Sequence, residues 1–137
     1  GIKAVPYIPK YQVLATVDYE TKDEKWRFNV TGQLKGPARI PSTTGNEVAN
    51  VRVGFSPTYF LMNAQATVVL KRFEFYLGGE NLTNYRQENA IIAAEDAFGT
   101  NFDASMIWGP IAGIKIFGGL RYTIPYKEKE NKYELIK

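Results

Sequence analysis

The stretch WRFNVTGQLK (Trp26–Lys35) decides how this chain folds, because its apolar residues recur at every second position. An extended chain over this stretch has two sides, apolar and polar in turn: Trp26, Phe28, Val30 and Leu34 against Arg27, Asn29, Thr31, Gln33 and Lys35. A helix would scatter these residues round its circumference, whereas a strand separates them. The stretch therefore predicts a strand with one apolar and one polar face.

Four further stretches alternate in the same way, so the sequence predicts five strands. Their expected bounds are 10–19, 25–36, 58–70, 73–84 and 112–124. Globular strands average about 5–6 residues. A strand of about eleven residues tilted by ~40° rises about 28 Å, which is close to the thickness of a bilayer core.

The links between these strands are alternately short and long. The links near 20–24 and at Lys71–Arg72 are short, whereas 37–57 and 85–111 are long. Bacterial outer-membrane barrels combine tight periplasmic turns with long extracellular loops in this way. The pattern predicts an all-β, antiparallel up-and-down meander that is part of a transmembrane β-barrel.

The amino-acid composition argues against several classes of function. The chain has no His and no Cys, which removes the commonest general base, most zinc sites and thiol nucleophiles. The acidic residues Glu95, Asp96 and Asp103 do not have EF-hand spacing. The net charge of +3 is spread along the chain rather than clustered as in a nucleic-acid interface. We therefore expect no enzyme activity, cofactor, metal site or nucleic-acid partner.

Four motifs resemble the C-terminal barrel region of TonB-dependent outer-membrane receptors. FEFYLGGENLTNY (Phe73–Tyr85) resembles a late barrel strand, and GIKIFGGLRYTI (Gly113–Ile124) is similar to the terminal strand. NAIIAAEDAFGTNFDASMIWGP (Asn89–Pro110) resembles the last extracellular loop of Bacteroidetes members. FNVTGQLKGPARIP (Phe28–Pro41) is similar to a strand and loop slightly earlier. The resemblance runs in the expected order from about Tyr7 to Ile124.

The resemblance implies a location in the bacterial outer membrane and a role in nutrient uptake. The nutrient would be an iron–siderophore complex, a vitamin or a glycan, with energy delivered through TonB to a plug domain. Such receptors have barrels of about 22 strands, and the smallest transmembrane barrels have about eight. We therefore expect residues 1–124 to complete a barrel wall against outer-membrane lipid, without transporting anything alone.

The end of the chain combines a terminal-strand pattern with a charged tail. The resemblance implies that Gly119, Tyr122 and Ile124 form the signal read by the barrel-assembly machinery. The tail, 125–137, continues beyond that pattern and is rich in both signs of charge. We expect it to be a solvated terminus.

Ligand contacts are expected from the long loops, because loops on a rigid scaffold carry recognition. The candidates are Arg39, Arg86, Asn101, Asp103 and Trp108. Aromatic residues near strand ends are candidates for interfacial girdles: Trp26, Tyr59, Phe60, Tyr76, Tyr85, Trp108, Tyr122 and Tyr126.

Two soluble alternatives remain open at this point. A lipocalin-like barrel would point the apolar face inward around a small ligand, and an adhesive β-module would bind none. Under the membrane interpretation, an open five-stranded sheet exposes two edges and an apolar face. We then expect the isolated chain to associate with itself or with the rest of its barrel.

Overall fold

A computed structural model describes residues 5–43, 51 and 54–125 of this protein. One antiparallel sheet contains five strands in chain order. They are β1 (Gln12–Glu20), β2 (Trp26–Lys35), β3 (Tyr59–Leu70), β4 (Phe73–Glu80) and β5 (Lys115–Tyr122). The predicted all-β meander of five strands is confirmed, and within the described residues the sheet is open. Of the predicted charged tail, residues 126–137 lie outside the described residues.

The strands are shorter than predicted at the end of the sheet where the two long links connect them. They contain 8 to 12 residues, and the largest differences are in β4 and β5. β4 ends at Glu80, not at residue 84, because Asn81 has a φ of 50° and turns the chain out of the ladder. A positive φ is incompatible with an extended strand.

The strand register sorts side chains into two faces of opposite character. One row across the sheet reads Val17, Val30, Ala64, Gly79 and Ile116. The adjacent row, on the opposite face, reads Asp18, Asn29, Gln65, Gly78 and Phe117. We call these the apolar face and the polar face. Because side chains alternate along every strand, the period-two pattern of each sequence stretch is preserved across all five strands.

The apolar face is exposed rather than packed as a core. Val17, Leu77 and Ile116 are 68%, 63% and 68% exposed, and Phe28 and Phe75 are also exposed. The buried apolar residues of the described chain lie elsewhere, at the loop end of β3 and in the long links: Ala38, Tyr59, Ile92 and Met106. The core thus sits at one end of the sheet.

The two short turns have specific local causes. In the first, the Trp26 amide donates a hydrogen bond to the Thr21 hydroxyl (3.1 Å). The Thr21 hydroxyl in turn donates to the Asp23 carboxylate (2.6 Å). The second contains only Lys71 and Arg72, since Leu70 pairs with Phe73. Both turns reverse the chain direction within a few residues, so the strands they join are antiparallel.

Glycines on the polar face accept aromatic rings from the neighbouring strand. Gly78 lies opposite Phe117, and Gly119 lies opposite Tyr76. A β-carbon at either glycine would collide with the facing ring. Phe117, an exception to the polar pattern in the sequence, therefore packs over a cross-strand glycine, a known device for stabilising strand glycines.

We expect Gly78→Ala to destabilise the sheet by about 1–3 kcal/mol, as overpacking of a filled site does. The added β-carbon would meet the Phe117 ring and lie 3.0 Å from the Ala64 carbonyl oxygen. Urea unfolding in detergent micelles, followed by tryptophan fluorescence, measures the change. Gly109→Ala is the control, since its nearest heavy atom would be 3.6 Å away. Equal unfolding midpoints for the two variants would contradict this account.

Candidate functional site

Both long links and the segment before β1 gather at one end of the sheet. We call this assembly the loop cap and define it as residues 5–11, 36–43, 54–58 and 81–114. The segments meet through short bridges, which join Arg39 to Pro6 and Phe55, Pro9 to Ala38, and Ile92 to Asp103. The meander forces this convergence because the long links connect strands at the same end.

Three aromatic rings form the centre of the loop cap. Tyr59 and Tyr85 stack with ring centroids 4.7 Å apart and planes 5° apart. The Trp108 ring is tilted against both, at 5.9 Å and 6.5 Å. The Tyr59 hydroxyl donates to the Trp108 carbonyl at 3.1 Å, so the cluster ties β3 to the 81–114 link. Burial, together with the neighbouring charge of Glu88, raises the pKa of the Tyr85 hydroxyl.

Gln87 clamps two irregular segments of the 81–114 link together. Its side-chain amide donates to the Met106 carbonyl at 2.7 Å. Its carbonyl oxygen accepts from the backbone amides of Trp108 (2.8 Å) and Gly109 (3.0 Å). The side chain is buried, and three backbone groups depend on it for their hydrogen bonds. Gln87 therefore fixes where Trp108 lies.

Asn81 performs a similar function where β4 enters the loop cap. Its side-chain nitrogen donates to the carbonyls of Tyr85 (2.8 Å) and Ala112 (3.0 Å). Its side-chain oxygen accepts from the Tyr85 amide, and its own backbone amide donates to the Asn63 side chain. Asn tolerates the left-handed φ of this position better than most residues. The beginning and the end of the link are thereby held together.

The segment before β1 crosses both long links. The Tyr7 amide donates to the Arg39 carbonyl at 2.9 Å, and its hydroxyl donates to the Ser105 carbonyl at 2.8 Å. The Lys10 ammonium lies 4.4 Å from the centre of the Phe55 ring. This segment therefore connects the 36–58 link to the 81–114 link.

A recess of about 430 Å³ opens in the loop cap, and two of the predicted ligand residues, Arg86 and Trp108, line it. Apolar side chains provide part of its wall, and three of its polar residues, Arg86, Glu88 and Asn89, are exposed. Its lining is Ile40, Pro57, Tyr85, Arg86, Gln87, Glu88, Asn89, Met106 and Trp108. The volume is in the range of small-molecule sites.

The other three predicted ligand residues lie in the loop cap but away from this recess. Arg39 contributes its backbone to two bridges. Asn101 is half-buried in a turn. The Asp103 carboxylate accepts a hydrogen bond from the Ser105 amide at 2.7 Å. Hydrogen bonding to Ser105 lowers the pKa of the Asp103 carboxyl group. Asp103 thus has a local structural role.

The polar face carries a second recess, of about 410 Å³, near the short turns. A chain of charges crosses it, in which Arg27 pairs with Glu20 (2.8 Å) and Glu74 (3.6 Å), and Glu74 pairs with Arg121 (2.9 Å). We call these four residues the charge network. β1, β2, β4 and β5 each contribute one member. The two positive and two negative charges of the network therefore neutralise one another across the sheet.

Aromatic residues line the apolar face at its short-turn end. Tyr19 and Phe28, Trp26 and Phe28, and Phe73 and Tyr122 form ring contacts at 6.4, 6.0 and 4.9 Å. We call these five residues the aromatic belt.

The aromatic residues predicted as girdle candidates do not all lie on one face of the sheet, and their role as a girdle stays a prediction. Trp26, Phe60 and Tyr122 lie on the apolar face, but Tyr59 and Tyr76 lie on the polar face. Tyr85 and Trp108 belong to the loop cap, and Tyr126 is outside the described residues. Proximity to a strand end does not reveal on which face a ring lies.

The three residues of the predicted terminal-strand signal are at the end of β5. Gly119 lies under Tyr76, and Tyr122 is the last residue of β5 and packs against Phe73. Ile124 follows the strand and is highly exposed. Whether they serve as an assembly signal stays a prediction.

Among the described residues, no group of three or more His, Cys, Asp or Glu side chains is placed to hold a metal ion. The described part of the chain also contains no helix long and apolar enough to cross a membrane. Comparison with protein-family models, with curated proteins and with solved structures finds no match.

We expect Gln87→Leu to loosen the loop cap while leaving the sheet intact. It would leave three backbone groups without their partner, and each buried unsatisfied group costs about 1–3 kcal/mol. Amide hydrogen exchange at Trp108 and Gly109 should accelerate by at least tenfold, whereas exchange at Val30 and Ala64 should not change. Gln65→Leu, at an exposed position of β3, is the matched control. Unchanged protection at Trp108 would refute the clamp.

Proposed function

We propose that this chain forms part of the wall of a TonB-dependent outer-membrane receptor that takes up a scarce nutrient. In this proposal β1 to β5 are consecutive barrel strands, the apolar face contacts lipid, and the polar face lines the lumen. The short turns face the periplasm and the loop cap faces the outside. The chain alone does not transport, because uptake requires the rest of the barrel, the plug and TonB.

The observation that carries this proposal is the exposure of most large side chains on the apolar face. Five strands contribute to it, and its central residues Val30, Leu77 and Ile116 are exposed. Soluble monomers rarely expose apolar patches above a few hundred Å². Hydrocarbon covers such a surface without requiring any specific partner, provided that the backbone groups of the sheet are paired.

Three further features support the same orientation. The aromatic belt lies at one edge of the apolar face, as interfacial aromatics do in outer-membrane barrels. The charge network lies on the opposite face, where a water-filled lumen would solvate it. The long links meet in the loop cap, whereas at the other end of the sheet the described strands are joined by short turns. The sequence resemblance adds the receptor class and the nutrient-uptake role.

The lipocalin-like alternative receives less support. A closed barrel of that kind would enclose its apolar face and leave no edge strands. In the described residues the sheet is open, with β1 and β5 at its edges, and the apolar face is exposed. A structural or adhesive module would need a second protein surface over this face.

We expect Val30→Arg, at the centre of the apolar face, to weaken insertion of the full-length protein into lipid vesicles. A cation in the middle of the lipid face of a barrel costs about 2–4 kcal/mol. Thr31→Arg places the same charge on the polar face of the same strand and should insert like the wild type. Protease protection in vesicles and flotation on a density gradient measure insertion. Equal insertion of both variants would contradict the assignment of faces.

The receptor class itself is tested separately from membrane insertion. We expect the coding sequence upstream of Gly1 to encode a plug domain and further alternating strands. Full-length protein should fractionate with the outer membrane and support uptake that requires TonB. A full-length protein found in the soluble fraction would contradict the proposal.

A further inference from the structure

We propose that Tyr7 is a latch that holds two halves of the loop cap together and so sets the width of the recess between them. The first half consists of residues 5–11, 36–43 and 54–58, and we call it the strap half. The second half is the 81–114 link. The latch is a property of the loop cap itself, and only its use in nutrient uptake rests on the proposed function.

The strap half is held together by its own backbone. The Tyr7 amide donates a hydrogen bond to the Arg39 carbonyl at 2.9 Å. One residue further along the chain, the Ile40 amide donates to the Gly54 carbonyl, also at 2.9 Å. These two hydrogen bonds join the three segments of the strap half in series, so the segments form one unit.

The 81–114 link is held together independently of the strap half. Gln87 donates to the Met106 carbonyl at 2.7 Å, and the side chain of Asn81 donates to the Ala112 carbonyl at 3.0 Å. Each of these contacts has both partners within the link. The contacts between the two halves therefore decide how closely the halves approach each other.

One side chain makes the hydrogen bonds that join the two halves in the described residues. The Tyr7 hydroxyl donates to the Ser105 carbonyl at 2.8 Å and lies 3.5 Å from the Met106 sulfur. Tyr7 is 38% exposed, so water can replace the Ser105 carbonyl as the partner of the Tyr7 hydroxyl. The contact can therefore open and close at little cost in free energy.

The backbone conformation of Tyr7 also favours release. Its φ is 64°, in the left-handed region that a bulky residue seldom adopts. Such a conformation persists only where surrounding contacts maintain it. At Tyr7 these contacts are the hydrogen bond from its amide to Arg39 and the hydrogen bond from its hydroxyl to Ser105. Loss of the second hydrogen bond therefore weakens the first.

The recess of the loop cap lies where the two halves meet. Ile40 and Pro57 line it from the strap half. Tyr85 and Trp108 line it from the other half. A smaller cavity of about 60 Å³ lies along the same boundary, since Tyr7 and Trp108 both line it. The closed latch keeps the recess at about 430 Å³, and opening of the Tyr7 contact would widen both spaces at once.

Oxidation of Met106 reports on the boundary between the halves. Its side chain is only 6% exposed and lies next to the Tyr7 hydroxyl. We expect Tyr7→Phe to raise the rate at which hydroxyl radicals oxidise Met106 by about threefold to tenfold, the factor that loss of one ordinary hydrogen bond produces. Mass spectrometry of peptides from the full-length protein in detergent micelles measures this rate. Met62 in β3 is the internal standard, and its rate should not change.

Two further variants separate the latch from a general loss of packing. Tyr11→Phe removes a hydroxyl whose partner, Thr58, lies in the same half, and should leave the oxidation of Met106 unchanged. In Tyr7→Asn the side chain is too short to reach Ser105, but Asn tolerates the positive φ. This variant should expose Met106 as Tyr7→Phe does, while hydrogen exchange of the residue 7 amide stays slow. In Tyr7→Phe that exchange should accelerate.

Any of four results would overturn the inference: an unchanged Met106 rate in Tyr7→Phe, an equal increase in Tyr11→Phe, a matching increase at Met62, or equal exchange of the residue 7 amide in the two Tyr7 variants. None of them bears on the faces of the sheet, because these measurements need no lipid. Conversely, a working latch in a full-length protein from the soluble fraction would retain this inference and refute the receptor proposal.

Discussion

The apolar face of the sheet is the constraint on which the rest of this structure depends. Strand pairing satisfies the backbone groups between neighbours, but it places the apolar side chains of all five strands on one surface. The described chain provides nothing to cover that surface, and most of its large side chains are exposed. In water such a sheet would be driven to associate, because burial of apolar area dominates the energetics of folding and assembly. Something outside these residues must therefore cover it.

As a consequence, the buried core lies at one end of the sheet rather than on its apolar face. In an ordinary globular domain the sheet packs its apolar face against a second layer. Here the most buried side chains are in the loop cap, where Asn81 and Gln87 satisfy the backbone of irregular segments. Buried loops require such partners because their carbonyls and amides have no ladder to join. The hydrogen bonds of Asn81 and Gln87, together with the three packed aromatic rings, give the loop cap a defined shape.

Much of the fold could be predicted from the sequence, and the candidate site only in part. The period-two pattern of Trp26–Lys35 and its counterparts predicted five strands and both faces, since each strand reports its own alternation locally. The pattern could not reveal that Gly78 accepts Phe117, which depends on register between β4 and β5. Loop position predicted Arg86 and Trp108, which both line the recess, but gave no signal for Gln87, whose importance lies in contacts with residues about twenty positions away. A buried glutamine has no periodic signal of its own.

The most direct test of the account is the environment of each side chain along Trp26–Lys35 in lipid vesicles. The chain contains no cysteine, so a single cysteine can be introduced at each of these positions and labelled with a nitroxide. The account predicts that collision with oxygen, which dissolves in hydrocarbon, peaks at positions 28, 30 and 34. Collision with a water-soluble nickel chelate should peak at the alternate positions 27, 29, 31 and 33. Low collision rates with both reagents at 28, 30 and 34 would show an apolar face packed against protein, and would contradict the account.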